Sequence, residues 1–345
     1  MCLSINHHVA FSPSNAYEMT LLFFILTLMG VRQKIAAAIP QNLRIAGSVG
    51  IGLFIAFLGF HNLGLLKMDQ EGFLHLSRLG ATQILGLAGL MIMSFLQARN
   101  VKGSLLIGIL IVTTISMIFG YSKMPEAWLS APPSIAPLFG QLQILPAFSF
   151  LTIVVVLTFM YVAMFDGLGT IVAVAETAGI SKQPDHEKKV SRMLTADALS
   201  NVIGAVLGTS TVTAYIESVS GISQGGRTGW TAFFCAMLFL AALFFVPFIA
   251  VIPAYATAPA LIMVGVFMIR EVVRIDFTDW DEALPAFLTM ILMPLTISIA
   301  TGLMFGFISY TLLKILMGKW SDLNPILIGI TLFSVMNLVF GGRFL

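Results

Sequence analysis

The chain has 345 residues, of which 58% are hydrophobic and only 10% are charged, whereas about a quarter of the residues in soluble proteins are charged. This composition excludes an ordinary soluble domain and predicts a protein that crosses a lipid bilayer many times. The formal net charge of +2, with basic residues scattered between apolar segments, gives no indication of nucleic-acid binding. Cys2 and Cys235 offer neither a disulfide framework nor metal-ligand spacing, so neither a metal site nor a cofactor is predicted.

Apolar segments close to the ~20 residues that a helix needs to cross a bilayer recur along the chain. The spans that they predict lie at about 17–37, 43–65, 79–98, 103–121, 147–176, 193–207, 229–250, 254–270, 282–299, 301–317 and 323–341. Residues 208–222 are too polar for an ordinary span and too apolar for a loop, which predicts a discontinuous helix there. Transporters bind their substrates at such breaks.

Lys and Arg are distributed unevenly among the connections between these spans. If alternate connections face the same side, fourteen basic residues lie on one side and only Lys67, Arg78 and Lys123 lie on the other. Because cytoplasmic loops carry the excess of basic residues, the first side is predicted to be cytoplasmic. This assignment requires residues 208–222 to complete a crossing of the bilayer.

Two polar connections on the predicted cytoplasmic side carry clusters of charge. Residues 181–190, which include His186, are interpreted as a solvated loop. The second connection is predicted to lie along the cytoplasmic surface with Trp280 as an interfacial anchor. Its acidic residues are Asp276, Asp279, Asp281 and Glu282.

Two acidic residues fall inside membrane-length apolar sequence, Asp166 in the segment 147–176 and Glu217 at the end of a hydroxyl-rich run that begins at Leu207. A charged group near the bilayer centre costs roughly 2.5–3.5 kcal/mol on insertion scales, and such groups usually face a cavity. The pair predicts a site in which one carboxylate accepts hydrogen bonds from ligand N–H groups while the other handles a proton. For each acid, a position at a helix end in the headgroup region stays open.

Glycine pairs spaced four residues apart occur at Gly204 and Gly208 and at Gly302 and Gly306. This spacing allows two helix backbones to approach closely, so helix contacts are predicted at both pairs.

The sequence contains no phosphate-binding Gly-x-x-x-x-Gly-Lys-Ser/Thr loop, no His-Glu-x-x-His and no Gly-x-Ser-x-Gly. The protein is therefore not predicted to be an enzyme, and uphill transport would have to draw on an ion gradient. A channel is a competing hypothesis, but neither a ring of charges nor a repeated filter sequence is present.

Four linked motifs resemble one family of transporters. The chain is similar to the hypoxanthine/guanine and adenine permease branch of the nucleobase:cation symporters, within the wider xanthine/uracil permease family, over nearly all of residues 30–320. The motifs are Phe165-Asp-Gly-Leu-Gly-Thr170, Gly204-Ala-Val-Leu-Gly-Thr-Ser-Thr-Val-Thr-Ala-Tyr-Ile-Glu-Ser218, Gly225-Gly-Arg-Thr-Gly229 and Pro253-Ala-Tyr-Ala-Thr-Ala-Pro-Ala260.

The resemblance implies an all-α polytopic fold of fourteen spans in two inverted seven-span repeats, with a broken helix and a short strand near 208–222. It also implies a core domain that binds the base and a gate domain that moves against it. On this expectation the chain divides into an atypical leader at 1–19, core elements at 20–42 and 147–250, gate elements at 43–121 and 254–317, and a C-terminal apolar segment at 318–345.

The resemblance further implies import of a purine base, adenine, hypoxanthine or guanine, by proton symport through a multi-pass protein of the cell membrane. Glu217 matches the acid that hydrogen-bonds the purine, and Asp166 matches the acid linked to substrate binding and proton coupling. Both Asp166 and Glu217 are expected to take part in proton coupling. The strand and turn that line the pocket correspond to Gly208, Thr209, Ser210 and Thr211. The preferred purine, the choice of proton or sodium, and whether the protein forms a homodimer stay open.

The chain also departs from the family pattern. Full-length relatives carry about three further spans before the position equivalent to residue 20, so a truncated permease is expected, with a non-transporting remnant as the alternative function. Gly167 stands where these permeases usually have Thr, and Ala163 stands where many have a second acid. An anion carrier on the same fold is disfavoured, because Asp166 and Glu217 would repel an anion.

Overall fold

The computed structural model describes the chain with gaps between its ordered ranges. These ranges are 34–35, 38–68, 74–122, 129–132, 134, 167–180, 183–207, 209, 212, 214–215 and 217–340. The predicted leader at 1–19, nearly all of the span at 17–37 and the first part of the span at 147–176 lie outside the described residues.

Helices dominate the described part of the chain, as the composition predicts. In chain order they are α1 (Gln41–Asn62), α2 (Ala81–Ala98), α3 (Ser104–Ile118), α4 (Gly167–Thr177), α5 (His186–Val206), α6 (Ser218–Ser223), α7 (Gly229–Ala242), α8 (Val246–Ile249), α9 (Ala254–Ile269), α10 (Trp280–Thr296), α11 (Ile299–Leu316) and α12 (Pro325–Phe340). Short 3₁₀ segments at Leu243–Phe245 and Arg270–Arg274 extend α7 and α9. A further 3₁₀ turn, Trp320–Asp322, follows α11.

Five of these helical segments are long and apolar enough to cross a bilayer. They are Gln41–Asn62, Ala81–Ala98, Gly229–Ile249, Ala254–Arg274 and Ile299–Leu316. Each lies within about four residues of a span predicted from the apolar segments, so those predictions are confirmed as helices. The protein is a multi-pass membrane protein.

A β-hairpin connects α1 to α2. Its strands, β1 (Leu66–Met68) and β2 (Leu74–Leu76), pair antiparallel with Lys67 opposite His75. All three residues of β2 are exposed. The hairpin therefore contributes little to a core and serves as a connection.

The chain divides into two compact units. The first contains the described residues of 1–51, 134–216 and 271–345, and the second contains those of 52–133 and 217–270. The division into core and gate elements expected from the family resemblance stays a prediction.

In the first unit, α10 and α11 pack closely at the glycines that the sequence singles out. Gly302 and Gly306 face Thr289 on α10, and the side chain of Leu43 on α1 also approaches Gly306. Thr289 and Phe307 are completely buried at this contact. The prediction that this glycine pair marks a helix contact is confirmed.

We expect Gly302→Ala to destabilise the protein by about 1–3 kcal/mol, because an added methyl group cannot be accommodated by a rotamer change. A Cβ atom at Gly302 would lie 2.7 Å from the backbone oxygen of Thr289, which is held in α10. The matched control is Gly329→Ala in α12, where a Cβ atom would meet nothing within 4 Å. Thermal unfolding of both purified variants in detergent tests the prediction, and equal stability of Gly302→Ala and the wild type would contradict it.

A cluster of charges lies where α10, α11 and the 3₁₀ turn after α11 meet. The Nζ atom of Lys314 lies 2.8 Å from Asp281 Oδ2, 2.9 Å from Glu282 Oε1 and 3.1 Å from Asp322 Oδ2. Lys319 reaches the same Asp281 oxygen at 2.8 Å. We call these five residues the Lys314 cluster. Lys314 also holds the pKa of the Asp322 carboxyl below its ordinary value, by hydrogen bonding and charge attraction.

The Lys314 cluster corrects part of the prediction for the acidic connection. Asp276, Asp279 and Trp280 are exposed, as expected. Asp281 is only 2% exposed, because a lysine from α11 reaches over it. The expected surface position is therefore wrong for Asp281, and this carboxylate joins elements instead of facing solvent.

The predicted loop at 181–190 is also corrected, because α5 begins at His186. Asp185 precedes the helix, and its Oδ1 atom lies 3.1 Å from the Nζ atom of Lys189 one turn later. Such pairs between residues four apart stabilise a helical turn. The polar composition of this segment therefore reflects an exposed first helical turn and not a loop.

The second unit is built on close contacts of α2 and α9 with neighbouring helices. A Cβ atom at Gly265 would lie 2.6 Å from the backbone oxygen of Gly52, so the backbones of α9 and α1 nearly touch there. A Cβ atom at Gly86 on α2 would lie 2.8 Å from the backbone oxygen of Tyr255 on α9. By contrast, α7 has no buried residue and presents apolar side chains such as Trp230 and Phe234 all round, which suits a helix surrounded by lipid.

Candidate substrate site

The predicted break in the helix at 208–222 is present. Helix α5 ends at Val206 and α6 begins only at Ser218. We call residues 207–217 the break segment. Its described residues lie in neither a helix nor a strand; they are Leu207, Thr209, Val212, Ala214, Tyr215 and Glu217. Non-helical backbone at membrane depth is tolerated where it is buried in protein or lines a cavity, so the break segment is the place to look for a substrate site.

The side chain of Asn201 holds the break segment against α5. Its Oδ1 atom accepts a hydrogen bond from the backbone N–H of Val212 at 3.0 Å, and its Nδ2 group donates to the backbone oxygen of the same residue. Nδ2 also donates to the backbone oxygen of Asp197 at 2.9 Å, one turn earlier in α5. Asn201 therefore satisfies both backbone groups of Val212, which has no partner strand among the described residues.

Gly204, three residues after Asn201, allows the break segment to lie directly on the helix. Its backbone oxygen accepts a hydrogen bond from the N–H of Thr209 at 2.9 Å. A Cβ atom here would lie 2.8 Å from Thr209 Oγ1 and would overlap the side chain of Val212. The predicted helix contact at Gly204 is thus a contact with the break segment, while its partner Gly208 lies outside the described residues.

Glu217 ends the break segment in the turn before α6. Its backbone oxygen accepts hydrogen bonds from the N–H of Ser220 at 2.9 Å and from Ser220 Oγ at 2.7 Å. Its side chain is exposed, and within the part of the chain that the structure describes no hydrogen bond to the carboxylate is formed. The carboxylate is therefore free to accept hydrogen bonds from a ligand.

Within the second unit, helix α6, which follows Glu217, is held at its other end by hydrogen bonds. Gln224 donates from Nε2 to Gln97 Oε1 at 3.1 Å, and Ser104 donates from Oγ to the same oxygen at 2.6 Å. These bonds link the residue after α6 to α2 and α3. The turn that carries Glu217 thus precedes a short helix with a defined anchor.

The second predicted acid, Asp166, lies outside the described residues, as do Ser210 and Thr211. The described part of helix α4 starts at the next residue, Gly167. The far end of α4 is fixed, because the carboxylate of buried Glu176 lies 3.0 Å from Arg274 Nη1. The structure therefore shows a well-anchored helix directly after Asp166 in the chain.

The sequence did not single out Asn201 or the Glu176–Arg274 ion pair. An amide inside the predicted span 193–207 was a usable signal for Asn201, because a polar side chain in a membrane needs a partner. Its partner could not be predicted, since Val212 is eleven residues further along the chain. Of the predicted site residues, the structure describes Thr209 beside α5 and Glu217 beside α6.

The fold matches that of a known membrane transporter. The transmembrane domain of a cyanobacterial bicarbonate transporter, BicA, superimposes with a TM-score of 0.58, covering 85% of this chain and 75% of that chain at 17% sequence identity. The helices and this likeness define the fold class as that of a multi-pass membrane protein.

The sequence match is more specific. Residues 17–305 match the model of a family described as "Permease family", the xanthine/uracil permeases, and the chain belongs to that family. It is 40% identical to the guanine/hypoxanthine permease PbuG of Bacillus subtilis over 330 residues, which are 95% of this chain and 75% of PbuG. It is 35% identical to the adenine permease AdeQ of Escherichia coli over 317 residues, 92% of this chain and 71% of AdeQ. Permeases are transporters and not enzymes.

Proposed function

We propose that the protein carries purine nucleobases across the membrane in symport with protons, and that Glu217 binds the base. The observation that carries this proposal is the exposed carboxylate of Glu217 at the break between α5 and α6, in a chain that belongs to the xanthine/uracil permeases. The names of the relatives, a guanine/hypoxanthine and an adenine permease, support a purine as the substrate class.

The chemistry of the proposed contact is simple. A purine presents N–H donors and C=O or ring-nitrogen acceptors along one planar edge. An ionised carboxylate accepts two such N–H groups side by side, and hydrogen bonds to a charged partner are stronger than neutral ones. Thr209, with Gly208, Ser210 and Thr211 of the same segment, supplies hydroxyl and backbone groups for the remaining polar atoms of the base.

Asp166 is the proposed coupling residue. A carboxylate in an apolar span favours exchange of a proton over a permanent charge, because the charged form is poorly solvated there. Asp166 binds the proton and Glu217 binds the base in this proposal. Transport of the base into the cell then depends on transport of the proton, and the reverse. Glu217 is assigned to the base because the family resemblance matches it to the acid that hydrogen-bonds the purine.

Uptake in cells that lack their own purine permeases tests the proposal. We expect saturable uptake of labelled hypoxanthine, guanine or adenine that rises with an inward proton gradient and is competed by unlabelled purines but not by bicarbonate. A full-length relative runs in parallel, and membrane insertion is checked for both. No uptake by an inserted, stable chain beside an active relative would contradict the proposal and favour the non-transporting alternative.

A further inference from the structure

We propose that Asn201 is a positioning residue for substrate binding, which fixes the backbone of the break segment so that its hydroxyl groups meet the base. This inference rests on the proposed function. It concerns a residue that does not contact substrate itself, because Asn201 is only 4% exposed and its amide is fully engaged with protein backbone.

The first argument is the geometry of the hydrogen bonds. The amide of Asn201 pairs with both the N–H and the C=O of Val212, so it acts as a peptide group of a neighbouring strand would. A residue held at both backbone groups has a fixed orientation. Val212 is therefore the point at which α5 holds the break segment in place.

The second argument is the uniqueness of the side chain. Only an amide offers a donor and an acceptor side by side, so an aspartate could not donate to the Val212 oxygen and a leucine could do neither. The additional bond to the Asp197 backbone oxygen holds the amide in one orientation relative to α5. In a membrane, a backbone group without a hydrogen-bond partner is strongly destabilising, so the bonds from Asn201 stabilise Val212 where a partner strand would otherwise be needed.

The third argument is that Asn201 and Gly204 contact the same part of the break segment. They lie three residues apart, so both project from nearly the same face of α5. One holds Val212 by hydrogen bonds, and the other leaves space for Val212 and accepts a hydrogen bond from Thr209. Together, Asn201 and Gly204 form the surface of α5 on which Thr209 and Val212 of the break segment pack.

The test compares Asn201→Leu with Ser200→Ala. Leucine has the same number of side-chain heavy atoms as asparagine and branches at the same carbon, but it has neither polar group. Ser200 donates from Oγ to the same Asp197 oxygen at 2.7 Å but does not reach the break segment, so its replacement is the matched control. We expect Asn201→Leu to raise the KM for purine uptake at least about ten-fold, the effect of ~1.4 kcal/mol, with an unchanged amount of inserted protein. Ser200→Ala should keep the wild-type KM.

A second measurement needs no substrate. In a background with Cys2→Ser and Cys235→Ser, a single cysteine is introduced as Thr209→Cys, and its rate of alkylation by a soluble maleimide is measured. We expect Asn201→Leu to change that rate several-fold and Ser200→Ala to leave it unchanged. If the wild type does not transport purines, the proposed function fails, yet this rate still reports whether Asn201 fixes the break segment.

If Asn201→Leu does not insert, Asn201→Ser replaces it. Serine in a helix bonds to its own preceding turn and is tolerated there, but it is too short to reach both groups of Val212. An unchanged KM together with an unchanged alkylation rate in either inserted variant would overturn the proposal. A lower uptake rate at wild-type KM and alkylation rate would overturn it too, because that result would indicate a general loss of function.

Discussion

Glu217→Gln is expected to reduce purine uptake roughly 10- to 150-fold at low substrate concentration. This range follows from the loss of hydrogen bonds to a charged group, which contribute about 1.5–3 kcal/mol to binding. Glutamine replaces one acceptor oxygen by an NH₂ group, which would face an N–H group of the base and repel it. Glu217→Asp keeps the charge but moves it back by about one carbon–carbon bond, so an intermediate loss is expected.

Initial rates of labelled hypoxanthine uptake, divided by the amount of inserted protein, measure this effect. Glu187→Gln is the matched control, since Glu187 is an exposed acid in the first turn of α5 and lies far along the chain from the break segment. Uptake by Glu217→Gln with the KM and maximal rate of the wild type would show that this carboxylate does not bind the base.

Lys314→Met is expected to lower the free energy of unfolding by about 3–5 kcal/mol. Removing one partner from a buried ion pair leaves the other charge buried without compensation. Here the side chains of Lys314 and Asp281 are only 4% and 3% exposed. Lys319 would remain beside Asp281, but its side chain is 44% exposed and most of its charge is screened by solvent.

The control for this prediction is Lys319, which contacts the same oxygen of Asp281 as Lys314 does. Lys319→Met removes an ion pair of equal length, yet we expect a loss below about 1 kcal/mol because the pair is solvated on one side. Denaturant titration of both variants in micelles compares the two losses. Adding Asp281→Leu to Lys314→Met should recover stability, because the uncompensated carboxylate is removed. If both lysine variants lost the same free energy of unfolding, burial of the Lys314–Asp281 ion pair would not explain its contribution to stability.

The helices could be predicted from the sequence because bilayer thickness imposes their length. The segment predicted at 301–317 is the helix Ile299–Leu316, and that at 79–98 is Ala81–Ala98. The start of α5 at His186 was missed because its first turn is polar, and a polar helical turn has the composition of a loop. The length of an apolar segment predicts which residues lie in lipid. It does not predict how far a helix continues outside the bilayer.

The candidate site could be predicted only in part, and for a physical reason. Glu217 was found because an acid in apolar sequence has a free-energy cost that is visible residue by residue. Asn201 and Lys314 were not found as contacts, because their roles depend on partners that only the folded chain brings near. The sequence shows that a polar group needs a partner, but it does not show which one.

The packing of the break segment on α5 has a consequence for the insertion of the protein into the membrane. Helix α7, apolar on every side, can leave the translocation machinery alone and remain in lipid. Helix α5 cannot, because it carries Asp197 and Asn201 among its apolar residues, and Asn201 Oδ1 accepts its hydrogen bond from Val212, which lies beyond the helix. The residues after α5 must therefore be synthesised before Asn201 is fully paired, so we expect the break segment and its supporting helix to insert together.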